Sequence, residues 1–152
     1  MRSVRALLFL VGLIGCSKDP VPPAQLPVVR LARDADGRVR VETSGFPAPL
    51  RAIELHLNAE GDAVVMDAVE AATGLALDTT KLAMHGAQEA ILFASDKRGV
   101  RLPPSGVIAR FAAHEPSGAG VPSARLKIGR AVVVDTAGNK VEVELGQPLS
   151  LR

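Results

Sequence analysis

The sequence predicts an all-β protein with the strand pattern of a β-sandwich or barrel. Three segments alternate apolar and polar residues with a period of two, which is typical of strands with one buried and one exposed side. These segments are residues 38–42, 53–58 and 140–145. Clusters of Gly, Pro, Asp, Asn and Ser that favour turns lie at residues 34–37, 103–106, 116–120 and 136–139. Many short strands joined by such turns indicate a sandwich or barrel.

Residues 62–73 allow two interpretations. Their apolar residues, including Val65, Ala68, Val69 and Ala72, fall at helical spacing after Asp62. The clustered β-branched valines favour a strand over residues 63–70 instead. We expect the strand, although residue propensity alone leaves the helix open.

The N-terminus has the pattern of an export signal over residues 1–15. Arg2 and Arg5 precede an apolar run of nine residues, 6–14. This run is too short to span a bilayer, which takes about 20 apolar residues. The signal therefore predicts a protein that leaves the cytoplasm.

The end of the signal holds Cys16, the one cysteine of the chain. The tetrapeptide Leu13-Ile14-Gly15-Cys16 resembles the bacterial lipobox, which implies a diacylglyceryl group on the Cys16 sulfur and cleavage before it. Two or more acyl chains hold a protein stably on a membrane. Because Ser17 rather than aspartate follows, the resemblance favours the outer membrane of the cell envelope. The alternative is an ordinary secretory signal with an incidental cysteine.

Residues 16–27 are expected to form a lipid-bearing, proline-rich tether, and residues 28–152 one domain. Pro20, Pro22, Pro23 and Pro27 favour an extended spacer of roughly 30 Å. Removing the two signal arginines from 18 basic residues leaves 16, against 16 acidic residues. A neutral mature protein gives no electrostatic reason to expect nucleic acid as a partner.

The order of the domain's segments resembles a cohesin module over roughly residues 28–148. The likeness is carried by three stretches and a final valine-rich strand entering an Asp-x-x-Gly turn: residues 39–47, 51–57, 104–111 and 131–138. The resemblance implies an antiparallel jelly-roll β-sandwich of about nine strands that binds a protein through one sheet face. The tyrosine usual after the third-strand pattern is replaced by Asn58.

No catalytic or metal-binding pattern stands out, so we expect a protein that is not an enzyme and has no cofactor or metal. His56, His85 and His114 are too far apart in sequence to form a ligand pair on one element, and we expect them to be solvated surface residues. The residues 34–37 lack the further ligands of a calcium loop and are expected to form a hairpin turn.

The resemblance places Glu54, His56 and Asn58 on the partner-binding face, where they could read a protein through hydrogen bonds. A plain solvated sheet face is the alternative for these residues. The chain has no Trp or Tyr to stack on sugars, and Phe93 and Phe111 are expected in the core. A protein partner is therefore expected. Binding of a polysaccharide, and a role as accessory subunit of an envelope enzyme, remain as alternatives.

Overall fold

The computed structural model describes residues 25–80, 83–86, 88–96, 100–118 and 120–152. The predicted signal 1–15, Cys16 and most of the predicted tether lie outside these residues. Within the described ranges, no helix is long and apolar enough to cross a membrane.

The described residues form twelve strands, four of which have only two residues. The strands are β1 Val28–Arg33, β2 Val39–Ser44, β3 Leu50–Gly61, β4 Val64–Ala71, β5 Ala76–Thr80, β6 Ala83–Met84, β7 Glu89–Ser95, β8 Gly106–His114, β9 Ala124–Asp135, β10 Lys140–Val141, β11 Glu144–Leu145 and β12 Leu149–Ser150. The all-β prediction is confirmed.

The strands form two sheets that enclose one core. Sheet A has the order β11-β1-β2-β8-β4-β6, and sheet B has the order β10-β9-β3-β7-β5 with β12 added beside β9. Among the described strands every pairing is antiparallel except that of β1 with β11, which is parallel. This is a largely antiparallel β-sandwich, one of the two architectures that the residue pattern predicts and the one that the cohesin resemblance implies.

The alternating segments supply the core as expected. The inward residues Ile53, Leu55 and Leu57 of β3 are fully buried, as are Val39 and Val41 of β2. Burying an aliphatic side chain of this size contributes about 1.5–3 kcal/mol, so these residues stabilise the packing of the two sheets.

The third alternating segment, residues 140–145, differs from the single strand that its pattern predicts. It divides into β10, which joins β9 in sheet B, and β11, which joins β1 in sheet A. Val141, Val143 and Leu145 are each only partly buried. Alternation along the chain does not distinguish one strand from a segment that crosses between sheets at an edge of the sandwich.

The segment with two interpretations is a strand, β4, as expected. Its register shifts between Asp67 and Glu70, and Ala68 has a φ of 45°. Met66 lies inward before this bulge, and Val69 packs against the core after it. The extra residue of the bulge explains why the apolar residues of a strand fall at a helix-like spacing here.

Two of the predicted turns join neighbouring strands. Between β1 and β2, the Gly37 N–H donates to the Asp34 carbonyl at 3.0 Å and Gly37 has a φ of 83°. Between β9 and β10, the Gly138 N–H donates to the Asp135 carbonyl at 3.1 Å. The Asp135 carboxylate also accepts the N–H of Asn139, which holds its pKa below the ordinary value.

Candidate functional site

The three residues predicted on the partner-binding face share one side of β3. Because successive side chains of a strand point to opposite sides, Glu54, His56 and Asn58 face outward while the residues between them fill the core. Strand β3 is flanked by β7 and β9. The residues therefore lie near the middle of the outer side of sheet B.

His56 lies between two carboxylates. Its Nδ1 is 2.8 Å from Glu89 Oε2, on β7, and its Nε2 is 2.9 Å from Glu54 Oε1. The side chain of His56 is only 14% exposed, whereas each glutamate is 40% exposed. The expectation of a solvated histidine is wrong for His56, because the cross-strand Glu89 covers it.

The two carboxylates raise the pKa of His56 above its ordinary value. Hydrogen bonding to Glu89 is the larger cause and hydrogen bonding to Glu54 the second, while partial burial acts in the opposite direction. A neutral imidazole has one N–H donor, so two carboxylate acceptors at its two ring nitrogens fit the imidazolium form.

Asn58 helps to hold Glu89 in this arrangement, and Gly129 leaves room for the Asn58 side chain. Asn58 Nδ2 donates to Glu89 Oε1 at 3.3 Å. On the other side of β3, the register with β9 shifts between His56 and Leu57. The extra residue of β9 is Gly129, where a Cβ would collide with Asn58 Oδ1. The glycine leaves the space in which the Asn58 amide lies.

Apolar side chains border the charged cluster. Phe93 of β7 lies opposite Glu54 and is 39% exposed, so its predicted place in the core is wrong, whereas Phe111 is fully buried as predicted. Ile91, also on β7, lies opposite His56 and is partly buried. We call the exposed side of sheet B around Glu54, His56, Glu89, Ile91 and Phe93 the B face.

Acidic and basic groups divide along the B face. Asp78 of β5 lies opposite Phe93, so with Glu89 on β7 two acidic residues lie on the β5 side of His56. On the β9 side, Arg130 lies opposite His56 and Lys127 opposite Asn58. Lys127 forms an ion pair with Glu60.

The outer side of sheet A, which we call the A face, has a different arrangement. There Arg40 contacts both Asp34, at 2.5 Å, and Glu42. Arg110 reaches Asp34 at 2.8 Å, and Arg30 reaches Glu42 at 2.8 Å. Hydrogen bonds from Arg40 and then Arg110 lower the pKa of Asp34. The A face thus carries a row of alternating charges in which each group contacts one of opposite sign.

The other two histidines lie away from the B face. His85 is exposed, as expected. The Nδ1 of His114 is 2.7 Å from the Glu115 carbonyl oxygen, and its Nε2 is 3.5 Å from Asp67. In the part of the chain that the structure describes, no group of three His, Cys, Asp or Glu side chains is arranged to hold a metal ion.

Sequence reasoning missed Glu89, Phe93 and Gly129 as members of the site. The alternation Ala90, Leu92, Ala94 marks the inner side of β7 and would place Glu89 and Phe93 outward. The signal is weak because β7 is apolar on both sides. A glycine within the apolar strand β9 suggests a bulge, but not which side chain occupies the space beside it.

Solved structures with similar folds are cohesin modules. The cohesin module of a family 33 glycoside hydrolase from Clostridium perfringens superposes with a TM-score of 0.64 over 83% of this chain and 96% of the other, at 9% identity. A non-cellulosomal cohesin from the archaeon Archaeoglobus fulgidus gives a TM-score of 0.57 over 79% and 86% of the two chains, at 13% identity.

A type I cohesin in complex with a dockerin, from Clostridium thermocellum, gives a TM-score of 0.57 at 15% identity, covering 80% of this chain and 90% of that one. No protein-family model and no curated protein sequence matches the chain. These identities are too low to carry more than architecture. The sandwich has the cohesin jelly-roll fold, which confirms the fold that the sequence resemblance implies.

Proposed function

We propose that this chain is a lipid-anchored envelope lipoprotein whose cohesin-like sandwich docks a protein on the B face without catalysis. The observation that carries the proposal is the exposed Phe93 ring beside the cluster of Glu54, His56 and Glu89. Protein interfaces are centred on aromatic anchors with a few directional polar contacts around them. Among the residues that the structure describes, the A face has paired charges but no exposed aromatic ring.

The chemistry of the B face favours a protein over the other partner classes. The face presents carboxylates and an amide, which form hydrogen bonds worth about 0.5–1.5 kcal/mol each to a matched surface. The chain has neither Trp nor Tyr for stacking on sugar rings. Without residues 1–15 the chain has 16 basic and 16 acidic residues, so its charge gives no electrostatic reason to expect nucleic acid.

The similar structures support the same partner class. Two of the cohesins with this fold are described in complexes with dockerins, one from Clostridium thermocellum and one from Acetivibrio cellulolyticus. For this chain we propose a protein partner that contacts the B face, with a dockerin-like module as the first candidate.

The anchor is proposed from the sequence. Cys16 carries the lipid after cleavage of residues 1–15, and residues 16–27 separate the sandwich from the membrane by roughly 30 Å. With Ser17 after the lipidated cysteine, the outer membrane is the favoured location. The tether would let the B face meet partners at a distance from the lipid surface.

Docking is tested by capture with the tagged full-length chain in a mild non-ionic detergent. The wild type is compared with the variant Glu54→Ala/His56→Ala/Asn58→Ala and with Arg30→Ala, which changes the A face. Probes are purified dockerin modules, envelope extract of the producing organism and insoluble polysaccharides. We expect one protein to be retained by the wild type and by Arg30→Ala, and to be lost by the triple variant, whose circular dichroism spectrum should remain that of the folded wild type.

Binding of a polysaccharide is the second candidate, and the exposed ring of Phe93 is the observation that favours it. One aromatic ring can stack on one sugar face. A polysaccharide retained by the wild type and lost by Phe93→Ala, with no protein enriched, would replace the protein-docking proposal by this candidate.

The anchor is tested separately with Cys16→Ala. Metabolic labelling with a palmitate analogue should mark the wild type and leave the variant unlabelled. The variant should also leave the membrane fraction or accumulate as an uncleaved precursor. A variant of mature size that still partitions into detergent would contradict the anchor without affecting the docking proposal.

A further inference from the structure

The B face contains one ionisable group whose protonation changes the charge at its centre. His56 contacts Glu89 and Glu54 through its two ring nitrogens, at 2.8 and 2.9 Å. With His56 protonated, these three side chains carry a net charge of −1. After loss of the proton they carry −2, and the ring keeps one N–H donor for two carboxylates.

We infer that docking on the B face is coupled to this proton: a basic side chain of the partner binds the carboxylates of Glu54 and Glu89, and His56 releases its proton to solvent. The inference rests on the proposed protein-docking function and names the chemistry and pH dependence of the partner.

The exposures of the three side chains determine where a cation can approach. The glutamates are each 40% exposed, while His56, which contacts both of them, is 14% exposed. An incoming lysine or arginine therefore meets the carboxylates and not the imidazole ring. A second positive charge beside the imidazolium disfavours the charged ring, because like charges at this distance repel.

The groups around His56 are consistent with replacement of the imidazolium charge by the charge of the partner's basic side chain. On β3 the polar neighbours are Glu54 and Asn58, and on β7 Glu89 is the charged neighbour. On β9, Arg130 lies directly opposite His56, and Lys127 is already paired with Glu60. Arg130 adds a basic residue to this part of the B face, so the face is not purely acidic after the ring loses its proton.

The apolar side chains add a second requirement for the partner. Ile91 and Phe93 lie beside the cluster on β7. A segment that places a basic side chain on the glutamates would place an adjacent apolar side chain on the Phe93 ring. The B face thus fits a protein segment in which basic and apolar residues alternate or lie one helical turn apart.

The linkage has a definite sign. If binding expels one proton, the affinity for a basic partner rises with pH by up to about tenfold per pH unit across the titration of His56. If the partner were acidic, the proton would assist binding and the affinity would fall as pH rises. Independence of pH would mean that the proton takes no part.

The test uses NMR spectra of the full-length chain in a mild non-ionic detergent. The probe is the peptide acetyl-Lys-Leu-Lys-Leu-amide, with acetyl-Glu-Leu-Glu-Leu-amide as its charge-reversed match. Titrations run from about pH 5.5 to about pH 8.5, on both sides of the ordinary histidine pKa of ~6.5. The measured quantities are the peptide affinity and the Cε1–H signal of His56.

We expect the basic peptide to bind more tightly as pH rises and, at a fixed pH, to move the His56 signal towards that of neutral imidazole. The pH dependence should vanish in His56→Gln and persist in His85→Gln. The signal of wild-type His56 keeps the test valid even if His56→Gln folds poorly.

Three results would overturn the inference: an affinity that falls or stays constant with pH, an unmoved His56 signal, or no binding of the basic peptide at any pH. These results are separate from the capture experiment. A protein captured through the B face with an affinity independent of pH would leave the docking proposal standing and remove only the proton coupling.

Discussion

The two sides of strand β3 differ in burial and in the type of side chain that they carry. Ile53, Leu55 and Leu57 face inward and are fully buried, whereas Glu54 and His56 between them face solvent and the neighbouring strands. The inner side stabilises the sandwich through apolar burial. The outer side contributes little to that burial, so its residues are available for the docking that we propose. Changes on the two sides should therefore separate stability from docking.

The largest expected effect comes from the inner side. Leu55→Ala removes a fully buried side chain and leaves a cavity between the sheets, so we expect a loss of about 2–5 kcal/mol in the free energy of unfolding. Urea denaturation measures this loss. Leu26→Ala, at a leucine that is 43% exposed, is the matched control and should stay within about 0.5 kcal/mol. A comparable loss of stability in Leu55→Ala and Leu26→Ala would contradict the claim that the inner side of β3 stabilises the sandwich.

Replacing His56 should have a smaller effect on stability, and this effect should depend on pH. Its pKa is raised in the folded protein, so its contribution to stability is fully present below the unfolded pKa of ~6.5 and is lost as pH rises through the folded pKa. We expect His56→Gln to cost about 1 kcal/mol at low pH, since solvent around the glutamates weakens the ion pairs.

Urea unfolding of wild type and His56→Gln at several pH values checks this prediction. The difference between them should shrink as pH rises, whereas His85→Gln should follow the wild type throughout. A difference that grows with pH would show that folding favours the neutral ring and would contradict the imidazolium assignment.

Gly129→Ala should change the site with little effect on the fold. The new Cβ would displace the Asn58 side chain, a flexible group, so we expect a stability change within about 1 kcal/mol. Once Asn58 no longer holds Glu89, the pKa of His56 should move towards its ordinary value. NMR titration of the His56 ring measures the shift. In Gly120→Ala, where a Cβ meets only ordinary contacts, the His56 titration should match the wild type.

The smallest expected effect on stability belongs to Phe93→Ala. Its ring lies on the B face and is 39% exposed, so removing it should change the free energy of unfolding by about 0.5 kcal/mol or less. Thermal and urea unfolding check this value. The buried Phe111 provides the contrast, because Phe111→Ala should cost about 3–5 kcal/mol. A similar loss in the free energy of unfolding for both variants would show that Phe93 is packed in the core.

The inner side of β3 could be predicted from sequence because it depends only on alternation along one strand. The outer site depends on neighbours across the sheet. Glu89 reaches His56 from 33 residues away, through a pairing that no local pattern reveals. The prediction that Phe93 lies in the core is wrong because apolar residues lie on both sides of β7. The sequence of this strand therefore does not indicate which residues face inward. The two short strands formed by residues 140–145 were missed because alternation does not report which sheet a residue joins.

The most direct test of the account is a contact measurement on the docked complex. The photo-crosslinking residue benzoylphenylalanine would replace Phe93 on the B face or Arg30 on the A face, where the Arg30 side chain is 57% exposed. After incubation of the full-length chain with the captured partner, irradiation should give a crosslinked product from position 93 and none from position 30. Crosslinking from position 30 alone would place the partner on the A face and contradict the account.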